Sequence, residues 1–292
     1  MTHGMLPGPW VDPEIHEELP WTNPNGIVKF FEFPVRIPEM SRRAFHLYWQ
    51  RHHSPHVMNV TGFSQFIRKY NSSHIYESQL TELPTHYNQD HPFEGAAEVW
   101  LNAWQEVSNW LGHPLYAELV QPDEPRFIAQ DGRNAIFVAK EERLYEPNID
   151  MVENGKVKVY ILISRQMGVT RDHFHQALSD HAKFILAQPS LKSNLLKLVV
   201  SHRLPDPNPI GDMPETDIDG VLEYWFESKA KIATFFADSA YQKLVVPREA
   251  EFANMQTLRA LAAKMRVVHD EFSFQPSTMQ PLSFSWSDEP RL

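Results

Sequence analysis

The sequence contains no cysteine. Disulfides, thiolate metal centres, iron–sulfur ligation and cysteine nucleophiles are therefore excluded, and the absence fits a reducing cytoplasm. Runs of Lys or Arg are also missing, and 37 acidic against 27 basic residues give a net charge of −10. Nucleic acid and anionic membranes are not the expected partners of such a surface. No stretch approaches the ~20 apolar residues of a membrane helix, and the N-terminus lacks the basic start and apolar core of a signal peptide. A cytoplasmic protein with no membrane partner is expected. There is no glycine-rich dinucleotide or phosphate loop and no GxSxG nucleophile elbow. The expectation that follows is a reaction without a cofactor.

What is present is a repeat. VKFFEF (Val28 to Phe33) returns as VKVYIL (Val157 to Leu162), 129 residues on, and EGAAEVWL (Glu94 to Leu101) returns as DGVLEYWF (Asp219 to Phe226), 125 residues on. So small a drift across a whole unit marks shared architecture. Alternation in Val28–Phe33 predicts a strand ended by Pro34. Ser41 is placed to cap a helix through about His56, on which Phe45, Trp49, His52 and His56 share a face. Phe63 to Tyr70, Glu94 to Leu101 and Asn134 to Leu144 read as strands, and Trp104 to Leu119 as a helix. The second half repeats the order with strands at 157–163, 195–201, 221–226 and about 266–274, helices at 170–186 and 228–244, and an extra helical stretch from Glu249 to Met265. Each half is thus β-α-β-β-α-β, a ferredoxin-like unit whose bare sheet face is best covered by its own copy. The fold class expected is α+β, two tandem units closing an intramolecular barrel, with the ligand cavity between the sheets. Residues 1–26 form an arm holding five of the 23 prolines. Residues 27–150 and 151–275 are the two domains, and 276–292 a tail. Long polar loops at Glu77 to Phe93 and Pro205 to Asp219 are expected to rim a site or to be plain surface insertions.

The segments FHLYWQRHHSP, EGAAEVWLNAW and PDEPRF, with FHQALSDH, DGVLEYWFES and REAEF in the second half, resemble the EthD family of the dimeric α+β barrel superfamily. The resemblance spans roughly residues 27–275 as two copies. It implies a barrel that single-domain relatives reach by pairing, and a small hydrophobic or aromatic substrate. It leaves the reaction open, since relatives of this fold include lyases, isomerases and cofactor-free oxygenases.

The family's helix histidine falls on His53. Its counterpart His181 departs from the pattern, with Lys183 where proline would stand. His53 and His181, like His74 and His202, are 128 residues apart, whereas His52 matches His181 only at an offset of 129. His53 is preferred as the acid or base, and His52 stays a competitor because it lies on the Phe45–Trp49 stripe. The triple His52, His53, His56 lacks the glutamate of a metalloprotease helix, so no metal is expected. Glu98 and Glu223 each precede a strand Trp by two residues and share its face. Facing a barrel interior, each would be a desolvated carboxylate with a raised pKa, Glu98 serving catalysis beside Tyr70. Trp49, Trp100, Arg68, His74, Phe31, Glu223 and Trp225 are the expected substrate contacts. Lys29 and Lys158 read as solvent-facing. The polar first half (Arg68, Lys69, Tyr70 against Leu196, Lys197, Leu198) is expected to be the active one. The reading is a lyase or isomerase moving a proton on an aromatic or polyketide-like molecule. The alternatives are a cofactor-free monooxygenase and a non-catalytic binder of hydrophobic metabolites. A homodimer of the pseudo-dimer is compatible with the sequence.

Overall fold

A computed structural model of the chain describes residues 26–75, 81–148, 151–204 and 216–272. The expected arm and tail lie outside them, apart from Gly26. Eight antiparallel strands close a barrel: β1 (Val28–Phe33), β2 (Lys69–His74), β3 (Gly95–Leu101), β4 (Ala135–Tyr145), β5 (Val157–Ile163), β6 (Lys197–Arg203), β7 (Gly220–Phe226) and β8 (Arg259–Asp270). Their order round the barrel is β1-β3-β2-β8-β5-β7-β6-β4. The first four strands by number form one arc and the last four the other. The seams are β4 on β6 and β8 on β2, so the long last strand of each half binds the opposite half.

Helices cover the outside. Ser41 caps the first through Ala44 N–H at 3.2 Å, and Thr170 caps its counterpart Arg171–Leu186 through His173 N–H at 3.3 Å. The first-half helix runs Arg42–Tyr48 and Ser54–Asn59 with a π-helical turn, Trp49–His53, between them. A π turn accommodates one extra residue. That insertion is the reason the repeat offset falls from 129 at Phe45/Phe174 to 128 at His53/His181. Among the described residues no helix is long and apolar enough to cross a membrane.

Three expectations need correction. The stretch from Phe63 to Tyr70 is not one strand: Thr61–Ser64 is a helical turn and β2 starts at Lys69. Phe63 is held in the helix layer, stacked on Trp110 at 5.1 Å and Tyr116 at 5.5 Å. The Ala- and Leu-rich stretch from Glu249 to Met265 is not a helix: turns follow Glu249 and β8 takes over at Arg259, where Ala260 and Ala262 meet the helices and Leu261 and Ala263 face inward. Small residues on both faces suit a strand buried on both sides. The helix from Trp104 stops at Leu111, with Gly112 as its C-cap, and a separate π turn spans Tyr116–Val120.

The barrel interior is filled. Phe31, Phe33, Phe137, Tyr160 and Leu162 pack at one end. At the centre Lys29 and Lys158, fully buried rather than solvent-facing, each touch both Glu98 and Glu223. The four contacts run from 2.6 to 3.2 Å, and Lys29 also reaches Glu141 at 2.6 Å. Tyr160 donates to Glu98 at 2.6 Å and Ser201 donates to Glu223. Burial opposes charge on Lys29, yet Glu141, Glu223 and Glu98 together raise its pKa. For Glu98 burial is outweighed by Lys158 and Lys29, and the pKa is lowered, against expectation. Glu223 is raised, because burial and the neighbouring Glu98 and Glu141 charges outweigh the same two lysines.

Removing one member strands its partners' charge in a dry interior. Lys158→Met is expected to cost about 3–5 kcal/mol in urea unfolding. A loss below about 1 kcal/mol, the worth of an exposed pair, would contradict the network's role in holding the barrel closed.

Candidate active site

Strand alternation separates the sequence candidates into two places. Glu98, Trp100, Phe31, Glu223 and Trp225 point into the filled barrel. Trp100 donates to Glu141 at 2.9 Å, and Trp225 lies under the Lys158 ammonium, 4.0 Å from its ring centre. None of them meets His53. The space expected between the sheets for a ligand is therefore occupied by protein, and the other candidates lie on the opposite face of the sheet, under the helices. There the first half gathers Tyr70, Trp49, His74 and His53.

Tyr70 lies buried beneath the helix. Its hydroxyl accepts from Trp49 Nε1 at 3.0 Å and lies 3.2 Å from Ser54 Oγ. Burial raises its pKa, so it remains a protonated donor. His74 is less available. Ser72 reaches its Nε2 at 3.2 Å, its Nδ1 meets His46 Nδ1 at 3.0 Å, and His46 Nε2 donates to the Ile75 carbonyl at 2.7 Å. Burial drives the His74 pKa well below the usual value and that of His46 to about 3. This chain of neutral rings ties helix to sheet, and substrate contact is not its geometry. Its copy is His175 with His202, ring centres 4.9 Å apart. The His46/His175 pair went unremarked in the sequence although both follow the repeated Phe.

His53 is buried at 8% exposure while His52 stands exposed. His53 Nδ1 donates to Asp123 Oδ2 at 2.9 Å, leaving Nε2 as the acceptor, and its ring lies 4.8 Å from that of Phe127. Tyr48 donates to the other carboxylate oxygen at 2.5 Å. The His53 hydrogen bond lowers the Asp123 pKa to about 2. Asp123 also lines an open groove of about 610 Å³ with Tyr48, His52, His56 and Arg126. His52 packs on Tyr48 at this rim.

Beneath the helices are two carboxyl groups that the sequence reading missed. Glu32 follows Val28 and Phe30 on the helix-facing side of β1, where its copy is Ile161. It keeps accessible surface on a strand otherwise buried, and no hydrogen bond to its side chain occurs among the described residues. Burial, with the Glu124 charge added, raises its pKa to about 8. Glu124 accepts from Tyr116 at 2.9 Å, and burial outweighs that bond to lift its pKa to about 7. The signal was available: a carboxylate in the apolar register of a strand, and the repeated glutamate of PDEPRF and REAEF.

The second half closes the corresponding space. Glu249, the copy of Glu124, accepts from Tyr241 at 3.2 Å, from Tyr87 at 2.5 Å and, on its other oxygen, from His86 at 3.1 Å. His181 Nε2 is 3.6 Å away and fully buried. Burial opposes the charge of Glu249, but these donors win and its pKa falls to about 2. Tyr87 and Leu83 belong to the first half's long loop and are packed into the second half's core. Arg68 sits apart at a strand end, donating to Asn102 at 3.0 Å and Glu271 at 2.8 Å, and takes no part in the site. Among the described residues no group of three metal-ligating side chains converges.

The EthD domain family matches residues 37–131 and 166–256. No curated protein sequence matches the chain. Among solved structures, an anthrone oxidase-like protein is 10% identical, covers 86% of this chain over 97% of its own, and superposes with a TM-score of 0.54. A candidate monooxygenase from Fusobacterium nucleatum is 9% identical over 84% and 93% of the two chains, with a TM-score of 0.48. A chlorite dismutase variant from Candidatus Nitrospira defluvii is 10% identical over 88% and 96%, with a TM-score of 0.43. At such identities the likeness is one of fold, that of the dimeric α+β barrel proteins.

A carboxyl group held protonated by the fold stabilises it only while protonated. Since the Glu32 pKa is raised from 4.5 to about 8, its ionisation opposes folding increasingly from pH 4.5 up to 8. Glu32→Gln is expected to stabilise the protein by about 2 kcal/mol at pH 8, after discounting for partial exposure, and by nothing at pH 4. Equal gains at both pH values in thermal melts would contradict the assignment.

Proposed function

We propose that this chain, which belongs to the EthD family through both of its halves, is a small-molecule enzyme. It would catalyse a proton transfer of the lyase or isomerase type on an apolar, aromatic substrate held beneath the helices of the first half. Each half is read as a ferredoxin-like domain, residues 27–150 and 151–275, and the functional cleft is assigned to the first. The observation that carries the reading is the Glu32–Glu124 pair. Around neutrality the two carboxyl groups hold about one proton between them. Tyr116 donates to Glu124 and so favours its ionised form, while Glu32 has no such donor. Glu124 is thus the base and Glu32 the acid. Eliminations and isomerisations need a proton removed at one atom and returned at another, and two such groups supply both steps without a cofactor.

His53 is assigned a second acid–base role at the mouth of the cleft. Asp123 fixes its tautomer so that Nε2 accepts a proton, and the groove beyond connects that pair to solvent. Protonated Tyr70 is assigned as a donor to a developing oxyanion. The bound partner is a small hydrophobic molecule, and the protein is free to pair again as a homodimer.

The rate should be bell-shaped in pH, rising as Glu124 ionises near 7 and falling as Glu32 loses its proton near 8. Glu124→Gln is expected to abolish the acidic limb and Glu32→Gln the alkaline one, each with a loss of about 10²–10⁴-fold in kcat. A flat profile in wild type would overturn the reading. Turnover should persist without oxygen; strict oxygen dependence would make the enzyme a monooxygenase, and binding without any turnover would make the protein a sequestering one.

Asp123→Asn keeps the shape but removes the acceptor that orients His53. It is expected to lower kcat at least tenfold with KM unchanged. An equal loss through KM alone would assign His53 to binding.

A further inference from the structure

The second half shows what the Glu–Tyr pair binds when its space is occupied. Tyr87 enters from the first half's loop, 2% exposed, and its hydroxyl meets both Tyr241 and Glu249. The ring packs on His86 at 4.1 Å and edge-on to Phe236 at 6.2 Å. In the first half the same pair recurs as Tyr116 and Glu124, each 125 residues earlier and each at the same place relative to a π turn. Two differences in its surroundings bear on what it can bind. Among the described residues no second phenol reaches Glu124, and both Glu124 and Tyr116 keep accessible surface where Glu249 and Tyr241 have almost none. The loop matching that of Tyr87, between β6 and β7, has no aromatic residue in its sequence.

We infer that the first-half cleft takes a phenol, its hydroxyl bonded to Glu124 and Tyr116 as the hydroxyl of Tyr87 is bonded to Glu249 and Tyr241. The second-half site is the same site filled by a phenol of the chain itself. This deepens, and rests on, the reading of the first cleft as an acid–base site, because it names the substrate class. The geometry sets the orientation of the ring: hydroxyl toward the helix-layer carboxylate, the body of the ring among apolar walls such as Phe63 and Ile136. A site built around a hydroxyl discriminates against the analogue lacking it, because the buried polar pair is then left unmatched.

The test uses p-cresol, the side chain of tyrosine, and toluene, the same shape without the hydroxyl, titrated into the full-length protein by calorimetry. Wild type is expected to bind one p-cresol per chain and toluene at least tenfold more weakly. Tyr116→Phe should weaken p-cresol at least tenfold, and Tyr87→Ala should raise the stoichiometry to two. Should Tyr87→Ala fail to fold, the wild-type comparison of the two ligands still decides. No p-cresol binding in wild type, equal affinity for toluene, or a single site that exists only in Tyr87→Ala would each overturn the inference. The two failures are separable. A non-phenolic substrate turned over with the bell-shaped profile, with no p-cresol bound, sinks the phenol and spares the acid–base reading. Bound p-cresol with turnover indifferent to Glu32→Gln does the reverse.

Discussion

Two lysines and two glutamates crossing the barrel axis hold the fold in its shape. Each residue of the square touches both partners of opposite charge, and each lysine bridges one glutamate of its own half and one of the other. An interior of this kind gains little net stability over an apolar one, yet it is intolerant of any arrangement in which one member is unpaired. The square therefore specifies how the two halves meet. Among the described residues it also leaves the barrel interior filled with charge and phenylalanine, and the groove beside Asp123 lies outside it, in the helix layer.

Beneath the helices the two halves have diverged by a few residues. Both retain a histidine pair linking helix to sheet, a histidine beside an acid, and a tyrosine that donates to a glutamate. In the second half the glutamate is surrounded by donors and is firmly ionised, its cavity closed by Leu83 and Tyr87. In the first, Glu32 stands where the second half has Ile161, Tyr70 where it has Leu198, and the glutamate pair is left without enough donors to ionise fully. Identical scaffolds thus hold one carboxylate near a pKa of 2 and the other near 7, and the difference is a count of hydrogen-bond donors against burial.

Much of this was legible in the sequence. The repeat announced the closed antiparallel barrel, because matched strands with alternating apolar residues have few other ways to hide both faces. The change of register between the two histidine pairs and the helix upstream was legible too, and the π turn explains it. The polarity of Tyr70 against Leu198 pointed to the first half. What the sequence could not convey was that the barrel interior is filled by protein. Glu98 and Glu223 looked like catalytic groups because a carboxylate beside a tryptophan suggests a pocket; the lysines that neutralise them come from β1 and β5, and only the closure of the barrel brings the four together. Glu32 and Glu124 lie 92 positions apart, and nothing local to either shows that the charge of one reaches the other. The loop carrying Tyr87 read as the rim of a site or a plain surface insertion, and its Leu83 and Tyr87 are packed into the core of the other half.

The central claim is that the fold holds Glu32 and Glu124 as a pair titrating near neutrality. Carboxyl-carbon NMR of protein labelled at glutamate side chains measures this directly. The account predicts two glutamate resonances that shift between pH 6 and 9, of which Glu32→Gln removes one and leaves Glu124, raised by its own burial, still titrating near 7. Titration of Glu32 and Glu124 below pH 5 in wild type would contradict it.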